Sequence, residues 1–302
     1  MTDVVSDVDS RIAPKAALST EEAGALAERH GLRTLGERPP LGQYVRDMLK
    51  RRSFIWTLSA GQSQAKNQNN RLGQVWAVFN PLLLIASYFL IFGLLLETNR
   101  GVENFVAFLA IGVIFFGLTA TAINSGSKAI TGNTNLMRAL HFPRAILPLS
   151  VVLTEFVASI PAFVLLVGVV LVTGERPSVE WLLFPVAVVL HLMSLVGLAF
   201  IGARIVNISR DLGNLIPVAT RLLRYVSGVF FPIAHYASGF WGIVLGYTPF
   251  ALPLTIARES LLNDPANAVH WSYWIAMAAW AVGLMAVGLV VFWWDEAKYG
   301  RG

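Results

Sequence analysis

The stretch RLGQVWAVFNPLLLIASYFLIFGLLL, residues 71–96, decides the fold, because a basic, amide-rich run turns there into a long apolar segment. Residues 75–96 contain no charged side chain. A helix rises about 1.5 Å per residue, so this segment is long enough to cross the ~30 Å hydrocarbon core of a bilayer. Asn80-Pro81 lies inside it, and a proline there removes a backbone hydrogen bond and predicts a kink. The stretch predicts a first membrane span.

The composition of the whole chain agrees with a protein built around such spans. Of its 302 residues 55% are hydrophobic and 14% are charged, and the mean hydropathy is +0.61. These values are typical of a multi-pass membrane protein and not of soluble domains. The absence of cysteine excludes disulfides, thiolate metal sites and cysteine nucleophiles. The acidic N-terminus lacks a basic run followed by an apolar one, so no cleaved signal peptide is expected.

Further apolar segments predict five more spans. They lie at 105–127, 145–172, 181–206, 215–233 and 271–294. The last of them has aromatic clusters at both ends, which suits the two membrane interfaces. We therefore expect an all-α membrane protein with six transmembrane helices.

One more apolar segment, 240–257, has two interpretations. Pro249 and Pro253 interrupt it, so it either crosses as a seventh span or folds as two short half-helices that enter and leave on one side. Irregular backbone at that depth is tolerated only where protein or a water-filled cavity covers it. The positions of the charged residues decide between the two.

The net charge of +5 suggests nucleic acid as a partner, but the distribution of the cations indicates topology instead. With six spans and both termini in the cytoplasm, 20 of the 23 Lys and Arg residues lie inside, if Arg221 and Arg224 are counted there. Outside remain Arg100, Arg176 and Arg258. This is the positive-inside pattern, and a seventh span would place Lys298 and Arg301 outside. We expect six spans in the plasma (inner) membrane, with a re-entrant outer hairpin between spans 5 and 6 and no nucleic-acid partner.

The chain before the first span is polar. Residues 1–40 predict a mobile cytoplasmic tail, in which Ser19 and Glu22 have the spacing of a capping box and favour a short helix ending at Gly31. Residues 41–52 place five apolar side chains on one helical face and cations on the rest. That face consists of Leu41, Tyr44, Val45, Met48 and Leu49. We expect this amphipathic helix to lie in the cytoplasmic interface.

Two cytoplasmic loops carry distinctive residues. In the first, KAITGNTNLMRALHFPR (128–144), Asn133 or Thr134 can cap a two-turn helix. Four apolar side chains then form a knob that projects towards the cytosol: Leu136, Met137, Leu140 and Phe142. In the second, NISRDLGNLIP (207–217), Ser209 can cap a helix with Asp211 in its first turn. Both loops either hug the headgroups or form a partner surface, and a compact apolar knob favours the latter.

These stretches together resemble a known family. RLGQVWAVFNPLLLIASYFLIFGLLL resembles the first span of ABC-2 type transporter permeases, where an LGxxWxxxxP pattern opens the membrane domain. NTNLMRALHFPRAILPLS (133–150) resembles their loop before the third span, RDLGNLIPVATRLLRYVSGVFFPI (210–233) their fifth span, and TPFALPLTIARESLL (248–262) their outer hairpin. The resemblance covers about residues 41–302. Within the family the chain is most similar to polysaccharide exporters, especially the galactan exporters of mycobacteria and O-antigen exporters.

The resemblance implies a half-transporter, which works as a homodimer with two cytosolic ABC ATPase subunits that bind ATP and Mg. The residues that it implies for ATPase coupling are Leu136, Met137, Arg138, Leu140, Phe142, Arg210 and Asp211. No G-x-x-x-x-G-K-[ST] phosphate loop occurs in the chain, since the GSK at 126–128 lacks the preceding glycine spacing. We therefore expect no cofactor or metal in this chain, which is not an enzyme by itself and takes its energy from another one.

Candidate substrate contacts combine cations and aromatic rings. They are Arg71, Phe89, Phe92, Phe115, Phe116, Arg258 and Glu259. For Arg258-Glu259, a structural salt bridge and contact with substrate are equally good interpretations. Glu155, the acid inside a confidently predicted span, is either functional or paired with a neighbouring helix. His191 is expected to form an interhelical hydrogen bond.

Three functions are open from the residues and the resemblance. The first is export of a polysaccharide linked to a polyprenyl pyrophosphate lipid, surrounded by membrane lipids. The second is ABC-2 type efflux of a small lipophilic drug or lipid. The third is a membrane glycosyltransferase or acyltransferase, which the chain disfavours because its outer loops are short and bring no paired carboxylates together.

Overall fold

The computed structural model describes residues 19–29, 39–68, 73–96, 102–140, 142–233, 236–263, 268–296 and 299. Throughout these ranges the regular elements are helices, which confirms the all-α class. The chain divides into two units, 1–38 and 39–302, and each is described by itself.

The first unit contains helix α1, Thr20–Arg29. The capping box predicted at its start is present, since the backbone N of Glu22 donates to Ser19 Oγ at 3.3 Å and the backbone N of Ser19 donates to Glu22 Oε2 at 3.0 Å. The backbone N and Oγ of Ser19 both donate to the Glu22 carboxylate, which holds the pKa of Glu22 below its ordinary value. The helix ends two residues before the predicted Gly31. Residues 1–18 and 30–38 of the predicted tail lie outside the described residues.

The second unit holds the remaining helices. Their bounds are α2 Leu41–Lys50, α3 Arg52–Gln68, α4 Gly73–Tyr88, α5 Phe105–Ser127, α6 Thr134–Ala139, α7 Ile146–Val172, α8 Phe184–Ile208, α9 Leu212–Val226, α10 Gly239–Gly246, α11 Leu252–Leu261 and α12 Trp271–Trp294. Helix α4 runs on through Pro81 and continues, more widely wound, as the π-helical segment Phe89–Leu95. The kink expected at Pro81 stays a prediction.

Five helices in the described part are long and apolar enough to cross a membrane. They are Val75–Leu95, Phe105–Ser127, Ile146–Val172, Val179–Ile208 and Trp271–Trp294. They coincide closely with the spans predicted at 75–96, 105–127, 145–172, 181–206 and 271–294. The chain is therefore a multi-pass membrane protein.

The continuous helix predicted for the fifth span, 215–233, is wrong in its bounds. Helix α9 has 15 residues and is about 22 Å long, which is too short to cross a ~30 Å core alone. It ends because Gly228 adopts a φ of +74°, which breaks the helix two residues after Val226. The segment nevertheless continues along α5 from residue 128 to residue 112: Gly213 lies beside Lys128, and the Val229 carbonyl approaches Gly112.

Segment 236–263 forms the two short helices that Pro249 and Pro253 predicted. The end of α11 lies at the start of α12, where Glu259 accepts a hydrogen bond from Trp274 Nε1 at 2.9 Å. The turn between α10 and α11 lies farther along α12, since Trp280 Nε1 donates to the Tyr247 carbonyl at 2.8 Å. From that turn, α11 therefore runs back along α12 towards its start.

The two ends of the second unit lie together. Trp293 Nε1 donates to the Pro39 carbonyl at 2.9 Å, and Tyr44 Oη donates to Glu296 Oε2 at 2.7 Å. Tyr44 is buried, so this part of the predicted interface face of α2 packs on protein, whereas Leu49 is 62% exposed. Residues 39–44 and 293–296 therefore lie at the same end of this unit.

Candidate functional site

The first predicted coupling loop forms helix α6, but its cap differs from the prediction. Asn133 precedes the helix without capping it, and its Nδ2 donates to the Ala129 carbonyl at 2.8 Å instead. The 3₁₀ turn Thr131–Asn133 leads into the helix. The loop is therefore anchored backwards onto the end of α5.

The apolar knob projects less than predicted. Leu136, Met137 and Phe142 are half-buried against the core of the second unit, and the Phe142 ring lies 5.6 Å from that of Phe54. Leu140, at 47% exposure, is the member of the knob that presents its side chain to the outside. Arg138 is also exposed. Because α3 supplies Phe54, which the prediction did not include, the loop is partly covered by the chain itself.

Arg144, expected to flank the knob, is bound to the C-terminal segment. Its backbone N donates to Glu296 Oε1 at 2.9 Å, and its Nη1 donates to the Glu296 carbonyl. Tyr44 Oη joins the group by accepting from the backbone N of Ala145 at 2.9 Å. We call Tyr44, Arg144 and Glu296 the terminal clasp. Burial raises the pKa of Glu296, against the opposing effect of the hydrogen bonds from Arg144 and Tyr44.

The second coupling loop lies at the same end of the bundle. Arg210 and Asp211 are exposed, as a partner surface requires. The predicted cap is absent here too, since Ser209 ends α8 and Asp211 precedes α9 without a side-chain hydrogen bond to it. Nearby, Arg204 Nε binds Asp295 Oδ2 at 2.7 Å. Both loops thus lie beside the clasped ends of the second unit, and their coupling role stays a prediction.

The predicted aromatic substrate contacts are mostly interior. Phe115 and Phe116 are buried inside the bundle, so neither ring can meet a substrate in this conformation. Phe92 and Phe89 are half-buried; the Phe92 ring stacks on Phe230 at 4.6 Å. The remaining member of the set at this end of the chain, Arg71, lies outside the described residues.

Arg258 and Glu259 have separate partners and do not form the mutual salt bridge that was one prediction. Arg258 Nη2 donates to the carbonyls of Phe108 at 3.2 Å and Val229 at 3.3 Å, and its guanidinium lies 3.4 Å from the centroid of the Phe108 ring. Glu259 accepts from Trp274 and, at 3.2 Å, from the backbone N of His270. Both are buried, at 6% and 3% exposure. In this conformation Arg258 joins the hairpin to α5 and Glu259 joins it to α12. Because both side chains are buried, substrate does not reach them.

Glu155 pairs with a helix that the sequence reading missed. Lys66 of α3 forms an ion pair with Glu155 of α7. Along the same contact, Ser59 Oγ donates to the Ser150 carbonyl at 3.0 Å. The missed signal is the spacing of Ile55, Ser59 and Ser63, whose buried side chains recur every fourth residue on one face of α3.

His191 forms the interhelical hydrogen bond that was predicted. Its Nε2 lies 2.9 Å from Thr119 Oγ1, which joins α8 to α5, and its ring stacks on Phe115 at 5.4 Å. The contact is buried, so it stabilises the bundle and offers no route for a proton to a surface.

Arg221 and Arg224 were counted with the cytoplasmic cations, but the structure places them inside the bundle's length. Arg224 Nη1 donates to Tyr88 Oη at 3.3 Å, and its guanidinium lies 5.5 Å from the centroid of the Phe116 ring. Arg221, one turn earlier, is exposed. The signal that could have found them is a pair of cations in an otherwise apolar crossing segment.

This geometry defines a class of protein: a multi-pass helical membrane protein in which the two predicted coupling loops lie at one end of the bundle. The family follows from comparison with known proteins. The family model described as ABC-2 type transporter matches residues 53–262. The chain belongs to this family.

Three similar proteins are named for export or transport. The chain is 26% identical over 252 residues to the O-antigen export system permease protein RfbA of Myxococcus xanthus, which covers 82% of this chain and 92% of the relative. It is 25% identical over 240 residues to the protein of the same name from Klebsiella pneumoniae, covering 78% and 88%. It is 22% identical over 228 residues to the polysialic acid transport protein KpsM of Escherichia coli, covering 74% and 85%.

Proposed function

We propose that the chain is the membrane-spanning permease subunit of an exporter that moves a lipid-linked polysaccharide across the inner membrane. The observation that carries this proposal is the similarity along most of the chain to permeases named for O-antigen export and polysialic acid transport. The substrate is a polymer on a polyprenyl pyrophosphate lipid, with a galactan or an O-antigen-like chain as its glycan. Drug efflux, the alternative within the family, draws no support from these names.

Energy for export comes from a separate ATPase. Two copies of this chain enclose the path between them, and each engages one cytosolic ATPase that binds ATP and Mg. The exposed Leu140, Arg210 and Asp211 at one end of the bundle support this arrangement, because an ATPase docked there touches both loops at once. The absence of a phosphate-binding loop from the sequence supports it as well.

The chain passes through the membrane six times. Five long helices account for five passages. Segment 213–229 makes the sixth, because it runs antiparallel to 112–128 of α5 from one end of the bundle towards the other. The hairpin α10–α11 then enters from outside and returns, which leaves both ends of the second unit in the cytoplasm.

Depletion of the chain in its own host tests the proposed function. If the chain exports the polymer, its depletion should make lipid-linked polymer accumulate inside the cell while the surface polymer declines. Re-expression should restore both levels. The measurements are extraction of lipid-linked glycan and labelling of surface polysaccharide. Unchanged surface polymer together with increased sensitivity to lipophilic drugs would instead identify an efflux pump.

A further inference from the structure

One side of helix α9 is polar although the helix runs through the apolar length of the bundle. At 100° per residue, Asn214, Arg221 and Tyr225 lie within about 40° of one another around the helix, with Arg224 next to them. Leu215, Leu222 and Val226 lie about 100° around the helix from Asn214 and are exposed, as a lipid-facing surface is. The helix therefore presents a polar stripe, distinct from both its lipid side and its side towards α5.

The two arginines lie far from both ends of the bundle. Arg224 contacts Phe116, which precedes the end of α5 at Ser127 by 11 residues, or about 17 Å of helix. Arg221 lies one turn closer to the coupling loops. Its side chain is exposed, and no hydrogen bond or ion pair joins it to another described residue. An exposed guanidinium at such depth is expensive against hydrocarbon, so it must face a polar path.

No carboxylate of the surrounding helices can neutralise these charges. The sequence of α4 with its π-helical extension, of α5 and of α9 contains no Asp or Glu. Glu155 of α7 is already paired with Lys66. Among the described residues, these helices therefore leave Arg221 and Arg224 without a carboxylate counter-ion.

At Arg224 the polar stripe meets a cluster of packed aromatic rings. Arg224 is hydrogen-bonded to Tyr88, whose ring lies 4.7 Å from that of Phe230, and Phe230 stacks on Phe92. We call the contact of Tyr88 and Phe92 with Arg224 and Phe230 the α4–α9 seam. On the side of the seam nearer the coupling loops, Trp76 and Phe79 of α4 have exposed side chains. A ligand reaching Arg221 from the cytoplasmic side meets the closed seam next.

We propose that Arg221 and Arg224 bind the diphosphate group of an isoprenoid-linked substrate at the foot of the α4–α9 seam. Guanidinium groups bind phosphate oxygens through paired N–H donors, and two of them on adjacent turns match two linked phosphates. Leu222 and Leu215 beside them give the isoprenoid tail an apolar surface. The assignment rests on the proposed export function and adds to it the position at which the charged linkage is held. A phospholipid headgroup offers similar phosphate chemistry, so the test separates the two sources.

Binding to the purified full-length chain in a neutral detergent is the test. The probes are farnesyl diphosphate, farnesol and inorganic pyrophosphate, measured by thermophoresis, with phosphatidylglycerol as competitor. Farnesyl diphosphate should bind at least about tenfold more tightly than farnesol, and Arg221→Gln and Arg224→Gln should each weaken it by about tenfold or more. Arg221→Lys, which keeps the charge but not the planar fork, should fall between wild type and Arg221→Gln.

The matched control is Arg176→Gln, the same substitution at an exposed arginine outside the membrane helices, which should leave binding unchanged. Helical content and elution volume establish that each variant is folded. Wild-type affinity in folded Arg221→Gln would overturn the proposal, and so would equal displacement by phosphatidylglycerol, which would make the pair a site for anionic phospholipid. Because binding is measured without transport, this result is independent of the depletion experiment. Loss of polymer export on depletion, with intact binding in Arg221→Gln, would remove the site assignment alone.

Discussion

The ion pair of Lys66 and Glu155 joins helix α3 to a membrane helix. The Glu155 side chain is 6% exposed and that of Lys66 is 44% exposed. Removing one partner of a buried pair leaves an uncompensated charge and costs ~3–5 kcal/mol, but the half-exposed lysine is partly screened by solvent. Lys66→Met should therefore lower the free energy of unfolding by about 1–2 kcal/mol.

The double variant Lys66→Met with Glu155→Gln provides the decisive comparison. It removes both charges, so most of the lost stability should return. Thermal unfolding in detergent compares the wild type with both variants. Equal destabilisation of the single and the double variant would show that Lys66 acts through packing and not through its charge.

Glu296 of the terminal clasp makes stability depend on pH. Burial raises its pKa above the ordinary value of 4.5, so the folded chain binds this proton more tightly than the unfolded chain. Stability from this group is then fully present below the ordinary pKa and is lost as pH rises through the higher folded pKa. The thermal midpoint should fall across that window in wild type, and the fall should be smaller in Glu296→Gln. Glu103→Gln, at an exposed glutamate, is the control; an opposite slope at Glu296 would contradict the prediction.

Helices α8 and α12 approach each other at two glycines. A Cβ on Gly288 would lie 2.4 Å from the carbonyl oxygen of Gly197, which is backbone and cannot move aside. Gly288→Ala should therefore destabilise the bundle by about 1–3 kcal/mol, as overpacking does. Gly283→Ala, on the same helix with no atom within 4 Å of its added Cβ, should be neutral or stabilising. The thermal midpoints of the two variants in detergent test this prediction. Equal midpoints would contradict a role for close backbone packing at Gly288.

Binding of the ATPase to the loop around helix α6 should depend more on Leu140, the residue after the helix, than on the neighbouring residues. An isolated helix of six residues is not stable in water, and here Leu136, Met137 and Phe142 are held by the chain itself. Leu140→Asp should therefore remove the apolar contact to the ATPase, worth about 1.5–3 kcal/mol when buried, without harming the fold. Co-purification of the ATPase measures the effect. Arg138→Ala, at an exposed position where ion pairs contribute ~0–1 kcal/mol, is the milder control.

Phe142→Asp does not serve the same purpose, because its ring packs on Phe54 and the variant would disturb the second unit itself. Retention of the ATPase and of normal export by Leu140→Asp would exclude this loop as the main coupling surface.

The lengths of the apolar segments predicted most of the membrane helices. The remaining features of the fold depend on tertiary contacts, which the sequence does not show. Five spans follow from uninterrupted apolar runs, because a bilayer fixes the length that such a run needs. Helix α3 was not predicted because serines line its buried face, and a serine-lined face does not look like a packing surface in the sequence. It packs because Ser150 and Glu155 of α7, far away in sequence, bind Ser59 and Lys66. The early end of α9 follows from the left-handed turn at Gly228, which an apolar sequence conceals.

The candidate site was predicted by residue type but not by orientation. Arg258 was predicted at the end of the hairpin to contact substrate or to form a salt bridge with Glu259, yet its partners are the backbone carbonyls of Phe108 and Val229, which no spacing reveals. Phe115 and Phe116 were aromatic candidates for a channel, and both face the interior. Arg221 shows the reverse, since its exposure at depth becomes visible only when α9 is placed along α5.

At the scale of the whole molecule, the meeting of Pro39 with Trp293 restricts the topology. Ends held at one end of the bundle fit the proposed six passages, in which segment 213–229 makes the sixth beside 112–128 of α5. Coupling loops and clasped ends then share one side, and the outer loops around Asn104 and Glu175, joined by a 2.9 Å hydrogen bond, share the other.

Single cysteines test this topology directly, because the chain contains none of its own. In intact cells, an impermeant thiol reagent should label Arg176→Cys, which lies in an exposed outer loop. It should not label Arg210→Cys, in the second coupling loop, or Lys298→Cys, beyond the last helix, until the membrane is permeabilised. Labelling after permeabilisation is the control that each thiol is accessible. If Lys298→Cys reacted from outside while Arg210→Cys did not, the number of passages would be odd: either 213–229 would not cross or 240–257 would cross as a seventh span, and the six-passage topology would be wrong.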